Sequence, residues 1–282
     1  MAQEGELAPL IVGGAPDAHH DAVVALAALP VEYGERPQAM CTATLIAPRV
    51  ALTAAHCVAH VDADGVEVVL GGDVSAPDAR HIRITEIVRH PKWDSPSHDL
   101  ALVQLGDDAG ITPIALIDAP GAASLQGQAV TLVGYGRDDR GQGGVRHAGT
   151  ARVVETLEKH IRIRREPALS CAGDSGGPAL AIADGHAQVA GVASYGDPSC
   201  AEFATYARLD IELAEFVLPV LAQLQSAHAP PSAGCASTPH VPAASIGLAL
   251  TIPLALLCRR FTRAVSTYET TRARQRASRR RR

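Results

Sequence analysis

Three short segments concentrate the side chains able to do covalent chemistry: Leu52-Thr53-Ala54-Ala55-His56-Cys57, Ser97-His98-Asp99-Leu100-Ala101-Leu102-Val103 and Cys171-Ala172-Gly173-Asp174-Ser175-Gly176-Gly177-Pro178. A serine hydroxyl at neutral pH is a poor nucleophile and needs a neighbouring base to take its proton during attack; imidazole has a suitable pKa. The imidazole in turn needs a fixed tautomer and a partner for the cation it becomes, which a buried carboxylate supplies. His56, Asp99 and Ser175 are the candidates for these three roles. Each alone has a plainer interpretation: a satisfied core histidine, an acid at a turn or strand edge, a serine in a Gly-rich surface turn. As a set, with Ser175 among small residues that let the backbone turn tightly and approach a substrate, they outweigh those interpretations.

The elements that must position these residues are short strands. Apolar runs at 44–46, 66–70, 82–87, 100–105, 129–133 and 189–194 recur with turn clusters between them, such as Gly71-Gly72-Asp73 and Asp138-Asp139-Arg140-Gly141. This is an all-β pattern that favours barrels or a sandwich, with no strand–helix alternation of the kind that builds a parallel sheet. A helix is expected over 210–225, with Asp210 as N-cap and Leu213, Phe216, Val217 and Val220 on its apolar face; Pro219 disturbs its centre. Aromatic residues are 3% of the 282-residue chain, with 25 Gly and 19 Pro, so turns are frequent.

Charge is unevenly spread. Residues 259–282 carry ten of the 25 basic residues and one acid, Glu269, which leaves 15 basic and 29 acidic residues in 1–258, a formal charge of −14. An acidic body argues against nucleic-acid binding by the main domain. The basic end follows a Ser/Ala/Pro/His linker, 226–240, and an uncharged run, 241–258, which as a helix would span roughly 27 Å, just enough for a bilayer core. By the positive-inside tendency, the Arg-rich 259–282 would stay cytoplasmic and the main domain would lie outside. Of the six cysteines, none forms a CxxC pair. The first four, Cys41, Cys57, Cys171 and Cys200, suit two disulfides and an oxidising compartment; Cys235 and Cys258 stand apart.

Together with Ile11-Val12-Gly13-Gly14, the three segments resemble the trypsin/chymotrypsin family of serine proteases over residues 11–225, in the family's order. The sequence Gly173-Asp174-Ser175-Gly176-Gly177 also satisfies the nucleophile-elbow pattern of α/β-hydrolases, but the chain order here is His, Asp, Ser and not Ser, Asp/Glu, His. The resemblance implies two antiparallel six-stranded β-barrels with a C-terminal helix, followed in this chain by a membrane-anchor or sorting helix. It implies an oxyanion hole from the N–H groups of Gly173 and Ser175, and disulfides Cys41–Cys57 and Cys171–Cys200. It also implies a ten-residue propeptide remnant, 1–10, whose removal frees the Ile11 ammonium to pair with Asp174. Protein or peptide substrates are the implied partners, and no cofactor or metal ligand is called for.

The resemblance places Leu169 at the base of the primary specificity pocket, Gly196 and Ala204 in its walls, and Ser194-Tyr195-Gly196 along the substrate backbone as an added strand. An uncharged Leu169 implies cleavage after apolar residues and not after Lys or Arg; Asp197, near the mouth, reads as a turn residue before Pro198. Gly234-Cys235, the spacer, the apolar run and the Arg-rich end resemble bacterial C-terminal sorting signals of the myxobacterial type, which makes Cys235 a candidate for lipidation or processing. A silent binding protein on the same fold and an esterase are the competing functions; the first is opposed by the intact His56, Asp99 and Ser175.

Overall fold

Alternating and continuous runs of small aliphatic residues, which suit a pleated, buried surface, close into two barrels in this computed structural model, which describes residues 11–29, 38–118, 121–137 and 143–227. After β1 (Ala15–Pro16), the first barrel is built from β2 (Val23–Ala28), β3 (Gln38–Ala47), β4 (Val50–Thr53), β5 (Val66–Leu70), β6 (Arg80–Arg89) and β7 (Ala101–Leu105). They pair antiparallel in the order β2-β3-β4-β7-β6-β5, and β5 returns to β2, so no edge is left open. Strands β5 and β7 are buried along their whole length, which is why both appear in the sequence as largely apolar runs, broken only by Glu67 and Gln104.

A two-residue strand, β8 (Ala115–Leu116), leads to the second barrel: β9 (Ala129–Gly134), β10 (His147–Thr156), β11 (His160–Arg165), β12 (Pro178–Ala183), β13 (His186–Gly196) and β14 (Phe203–Arg208). Its order is β10-β11-β14-β13-β12-β9, closed by the β9–β10 pairing, while β1 adds to β10 and β8 lies parallel to β13. The architecture is all-β with two six-stranded barrels, as the resemblance implies. Arg146, 2% exposed, joins the first strand to this barrel by pairing Nε with Asp17 at 3.0 Å and a terminal nitrogen with Asp21 at 2.7 Å. The Tyr135 hydroxyl, pushed up to about 12 by burial, reaches across to the carbonyls of Val23 and Gly71 in the first barrel.

The helix expected over 210–225 is two pieces. A wide turn, Leu213–Val217, is followed by α1 (Leu218–Ser226). Glu212 O accepts from both Phe216 and Val217 N–H at 3.0 Å, the wider of these loops being the π-type one. Proline has no N–H to give to a helix interior, so regular α-helix begins where Pro219 falls in the first turn. Asp210 is no N-cap; its carboxylate pairs with Arg208 at 2.8 Å. Among the described residues, no helix is long and apolar enough to cross a membrane. The segments expected as propeptide remnant (1–10), as apolar helix (241–258) and as basic tail (259–282), with Cys235 and all of the linker after Ala227, lie outside the described residues.

Candidate active site

The two barrels each bring part of the site to their junction. His56 sits in the 3-10 turn Ala55–Val58 directly after β4, and Asp99 lies just ahead of β7. The His56 Nδ1 meets Asp99 Oδ2 at 2.7 Å, and the His56 backbone N–H donates to Asp99 Oδ1 at 2.9 Å. The Ser194 hydroxyl, from the end of β13, donates to Asp99 Oδ2 at 2.5 Å. Asp99 is 2% exposed. Burial pushes its carboxyl up, but the hydrogen bonds from His56 and Ser194 and the charge of His56 outweigh that and hold it below the usual carboxylate range. With a carboxylate on Nδ1, the imidazole carries its proton there and presents Nε2 as an acceptor.

The disulfides Cys41–Cys57 and Cys171–Cys200 are both formed. The first ties β3 to the histidine turn, and Cys57 Sγ lies 3.8 Å from His56 Nε2 and 3.5 Å from the Ser175 carbonyl oxygen. The imidazole and the Ser175 carbonyl thus flank the same disulfide sulfur, with Ser175 on the opposite barrel's loop between β11 and β12.

That loop is held by an almost complete backbone account. The N–H groups of Asp174, Gly176 and Gly177 donate to Cys171, Ala193 and Asp174 carbonyls at 3.0, 2.8 and 2.9 Å. The carbonyls of Ala172, Gly173 and Ser175 accept from Arg137 N, Thr42 Oγ1 and Thr42 N at 2.7, 3.0 and 2.8 Å. Among the described residues, no acceptor takes the N–H of Gly173 or of Ser175. Backbone donors that are folded in but unused are rare, and these two flank the Ser175 side chain. Gly173 turns with φ +96°, a conformation L side chains seldom adopt.

Asp174, 1% exposed, points away from Ser175. It accepts from Gly136 N on one oxygen and Cys171 N on the other, each at 2.8 Å. A Cβ on Gly136 would stand 2.6 Å from this carboxyl, so only glycine admits it. Burial pushes the Asp174 carboxyl up to about 7 against those two hydrogen bonds. No salt bridge among the described residues reaches it. Ile11, also fully buried, begins the segment in which Val12 pairs with Leu169.

A cavity of about 200 Å³ opens beside Ser175, lined among others by Ser170, Ser194, Tyr195, Gly196 and Ala204. Leu169 is not in its lining: the backbone pairing with Val12 turns that side chain into the core, at 0% exposure. Ser170, which sequence reasoning missed, takes the place, hydrogen-bonded to the buried Tyr206 hydroxyl. Asp197 also borders the cavity, but its carboxylate caps its own loop. The Ser199 hydroxyl, then the N–H groups of Glu202, Phe203 and Ala201, hold it well below the usual carboxylate range.

Behind Asp99, His90, His98 and Glu212 converge with ligand atoms within 4.8 Å of one another. Both outer ring nitrogens already face donors: Lys92 N–H to His90 Nδ1 at 3.1 Å and Lys159 Nζ to His98 Nε2 at 2.6 Å. The inner nitrogens then carry the protons, which they donate to the two Glu212 oxygens at 3.2 and 2.7 Å. A metal would need the opposite tautomer on both rings, so this cluster is a hydrogen-bonded one. It clamps His98, whose φ is +54°, immediately before Asp99. Nothing in the local sequence announces it, since Glu212 comes from the C-terminal turn.

Comparison with known proteins agrees with this geometry. The family profile described as Trypsin matches residues 11–214. The chain is similar to a cercarial protease of Schistosoma mansoni, 31% identical over 226 residues, covering 66% of this chain and 80% of that protein. It is similar to a trypsin of Saccharopolyspora erythraea, 27% identical over 178 residues, covering 57% of this chain and 77% of that one. It also matches protein masquerade of Drosophila melanogaster, 28% identical over 193 residues and 56% of this chain, though only 18% of that longer protein. A family match over most of the chain, on a fold of two six-stranded barrels, has one meaning: the chain belongs to the trypsin family and is a serine endopeptidase.

Proposed function

We propose that Ser175 is the nucleophile, His56 the general base and Asp99 the group that orients it, with the N–H groups of Gly173 and Ser175 as the oxyanion hole. Ser175 Oγ attacks the scissile carbonyl carbon as its proton passes to His56 Nε2. The carbonyl oxygen becomes an oxyanion facing the two unused N–H groups, donors that often contribute the largest electrostatic share of the rate. The tetrahedral adduct collapses, the C–N bond breaks, and His56 returns the proton to the leaving amine. Water then repeats the sequence on the acyl-serine, using His56 as base. Throughout, Asp99 keeps the Nδ1 proton and stabilises the imidazolium. The observation that carries this assignment is the hydrogen bonding of the serine loop: among the described residues the N–H groups of Gly173 and Ser175, with that of exposed Ala172, have no acceptor, and the first two lie beside the Ser175 hydroxyl. A fluorophosphonate probe tests it: after processing at Ile11 it labels Ser175 in the wild type and nothing in His56→Ala. Absence of labelling in the wild type overturns it, and cleavage of peptide libraries separates peptidase from esterase.

The domain, 11–225, is made as a zymogen. Cutting after Leu10 frees the Ile11 ammonium, which pairs with Asp174. A fully buried carboxyl held up to about 7, with two N–H donors and no cation, supports this, because an ammonium would restore it to the charged form. The pocket takes apolar side chains after which the chain is cut: Ala204 and Gly196 are small, and the bordering carboxylate, Asp197, is consumed by its loop. Leu10 fits that pocket, so the enzyme matures itself. A purified Ser175→Ala zymogen that still matures at Ile11 in isolation would rule self-activation out. The two disulfides fit an oxidising compartment outside the cytoplasm. Residues 226–240 serve as linker, 241–258 as membrane or sorting helix and 259–282 as cytoplasmic tail, with Cys235 as processing site; intact-mass measurement of the mature protein distinguishes a retained tail from a cleaved or lipidated one.

A further inference from the structure

We infer that Thr42, on β3 of the first barrel, is the positioning residue of the oxyanion loop on the second; this rests on the role proposed above for Gly173 and Ser175. Thr42 is fully buried, and each of its polar groups is used. Its N–H donates to Ser175 O at 2.8 Å and its hydroxyl donates to Gly173 O at 3.0 Å. The same hydroxyl accepts from Tyr135 N at 3.0 Å, and its carbonyl accepts from Thr53 Oγ1 at 2.8 Å. One residue thus grips the carbonyls of both residues whose N–H groups face the oxyanion.

The hydroxyl is the part of this grip that a substitution can remove. Because it accepts from Tyr135 N, its own proton is directed along the remaining direction, to Gly173 O. Gly173 is the freest residue of the loop, and drift about its φ and ψ would swing its N–H off the oxyanion. Two bonds oppose that drift: Arg137 N to Ala172 O on one side, at 2.7 Å, and Thr42 Oγ1 to Gly173 O on the other. Tyr135, which donates to the hydroxyl, directly precedes Gly136, whose N–H holds Asp174. Thr42 therefore links the loop of the oxyanion donors to the cradle of the activation acid. A donor array helps only if its direction is set before charge develops, so the loss falls on the transition state more than on substrate binding.

The test compares Thr42→Val, Thr42→Ala and Thr42→Ser with wild type in the full chain processed at Ile11. The Val and Ala variants should lose about tenfold in kcat while KM stays within about twofold, and Ser should restore wild-type rate. Affinity for a peptide boronic acid, whose adduct on serine is tetrahedral and anionic, should fall by the same factor as kcat/KM. Affinity for an uncleavable peptide of the same sequence should not move. The Ala variant decides if the Val side chain prevents folding. Val or Ala variants that fold and keep wild-type kcat overturn the inference, as does a loss confined to KM and melting temperature or one that Ser fails to restore. A wild type that neither cleaves peptides nor reacts with fluorophosphonate at Ser175 overturns the catalytic assignment instead, so the two failures are told apart.

Discussion

The first barrel contributes its part of the site as side chains at strand ends; the second contributes a loop that carries Ser175 together with the backbone N–H groups beside it. His56 leaves β4 by one tight turn and Asp99 precedes β7, so the ladder that fixes both strands fixes both groups. Asp99 and His56 need buried partners, and the end of a ladder supplies them. Oxyanion donors have the opposite requirement. Their N–H groups must be folded yet unclaimed, and a strand inside a ladder has already given its N–H groups away. A loop can hold N–H groups back, and in the segment from Cys171 to Gly177 those of Gly173 and Ser175, with exposed Ala172, have no acceptor among the described residues while most of the other groups are bonded. A buried histidine–carboxylate pair and unclaimed backbone donors thus call for different kinds of scaffold, and the first barrel supplies the one and the serine loop of the second the other.

The sharpest break in this comparison is at the two reacting groups. Ser175→Ala or His56→Ala should lower kcat by about 10⁶-fold, and the double variant little more, because groups that act as a unit are not additive; single-turnover assays on a peptide ester check it. Asp99→Asn, which keeps the shape but leaves the wrong tautomer, should cost about 10⁴-fold in kcat with the fold intact. A second-barrel probe follows. In the uncut chain, the folded Asp174 carboxyl lies near 7 against an ordinary 3.8. The folded state therefore holds its proton longer, so the stability this group contributes is full below about pH 4 and is lost as pH rises through about 7. The loss is on the order of 4 kcal/mol. Asp174→Asn should flatten that dependence in urea titrations, and cutting at Ile11 should do so too.

The disulfides sharpen the contrast further. Replacing Cys41 and Cys57, or Cys171 and Cys200, by Ala should each cost about 3 kcal/mol of stability for loops of 16 and 29 residues. The kinetic consequences should divide by barrel: the first pair lowers kcat, because it abuts His56, and the second raises KM, because Cys171 and Cys200 border the cavity. Steady-state kinetics measured well below the melting range of each variant separate the two. The smallest effect should come from Ser194→Ala, the one bond that crosses from β13 to Asp99. Its loss should reduce kcat by about three- to tenfold, and a change in KM alone would place Ser194 with the substrate and not with the carboxylate.

Much of this was legible in the amino-acid sequence, and the omissions have physical causes. Predominantly apolar runs announce β5 and β7 because both of their faces are buried, while β1 and β8 are two residues long and exist only through partners far along the chain. His56, Asp99 and Ser175 stand in motifs whose order excludes the competing elbow. Thr42 was not legible: a threonine in a strand is an ordinary β-former, and its four hydrogen bonds appear only once both barrels exist. Leu169 shows the limit of counting from a motif. Position along the chain put it beside the pocket, but pairing with Val12 decides which way the side chain faces. Glu212 and His98, 114 residues apart, meet only through the return of the C-terminal turn to the first barrel.

That return has a counterpart at the other end. The chain opens by laying β1 on β10 of the second barrel before it has made any of the first, and it closes by bringing Glu212 and α1 back against the first after completing the second. Each barrel is buckled by chain that belongs, in order of synthesis, to the far side of the other. A polypeptide cut or stalled between β8 and β9 would leave β1 without its partner and His98 without its clamp. Completion of the last turns therefore supplies the clamp on His98, directly ahead of Asp99, and a chain without the second barrel also lacks Ser175.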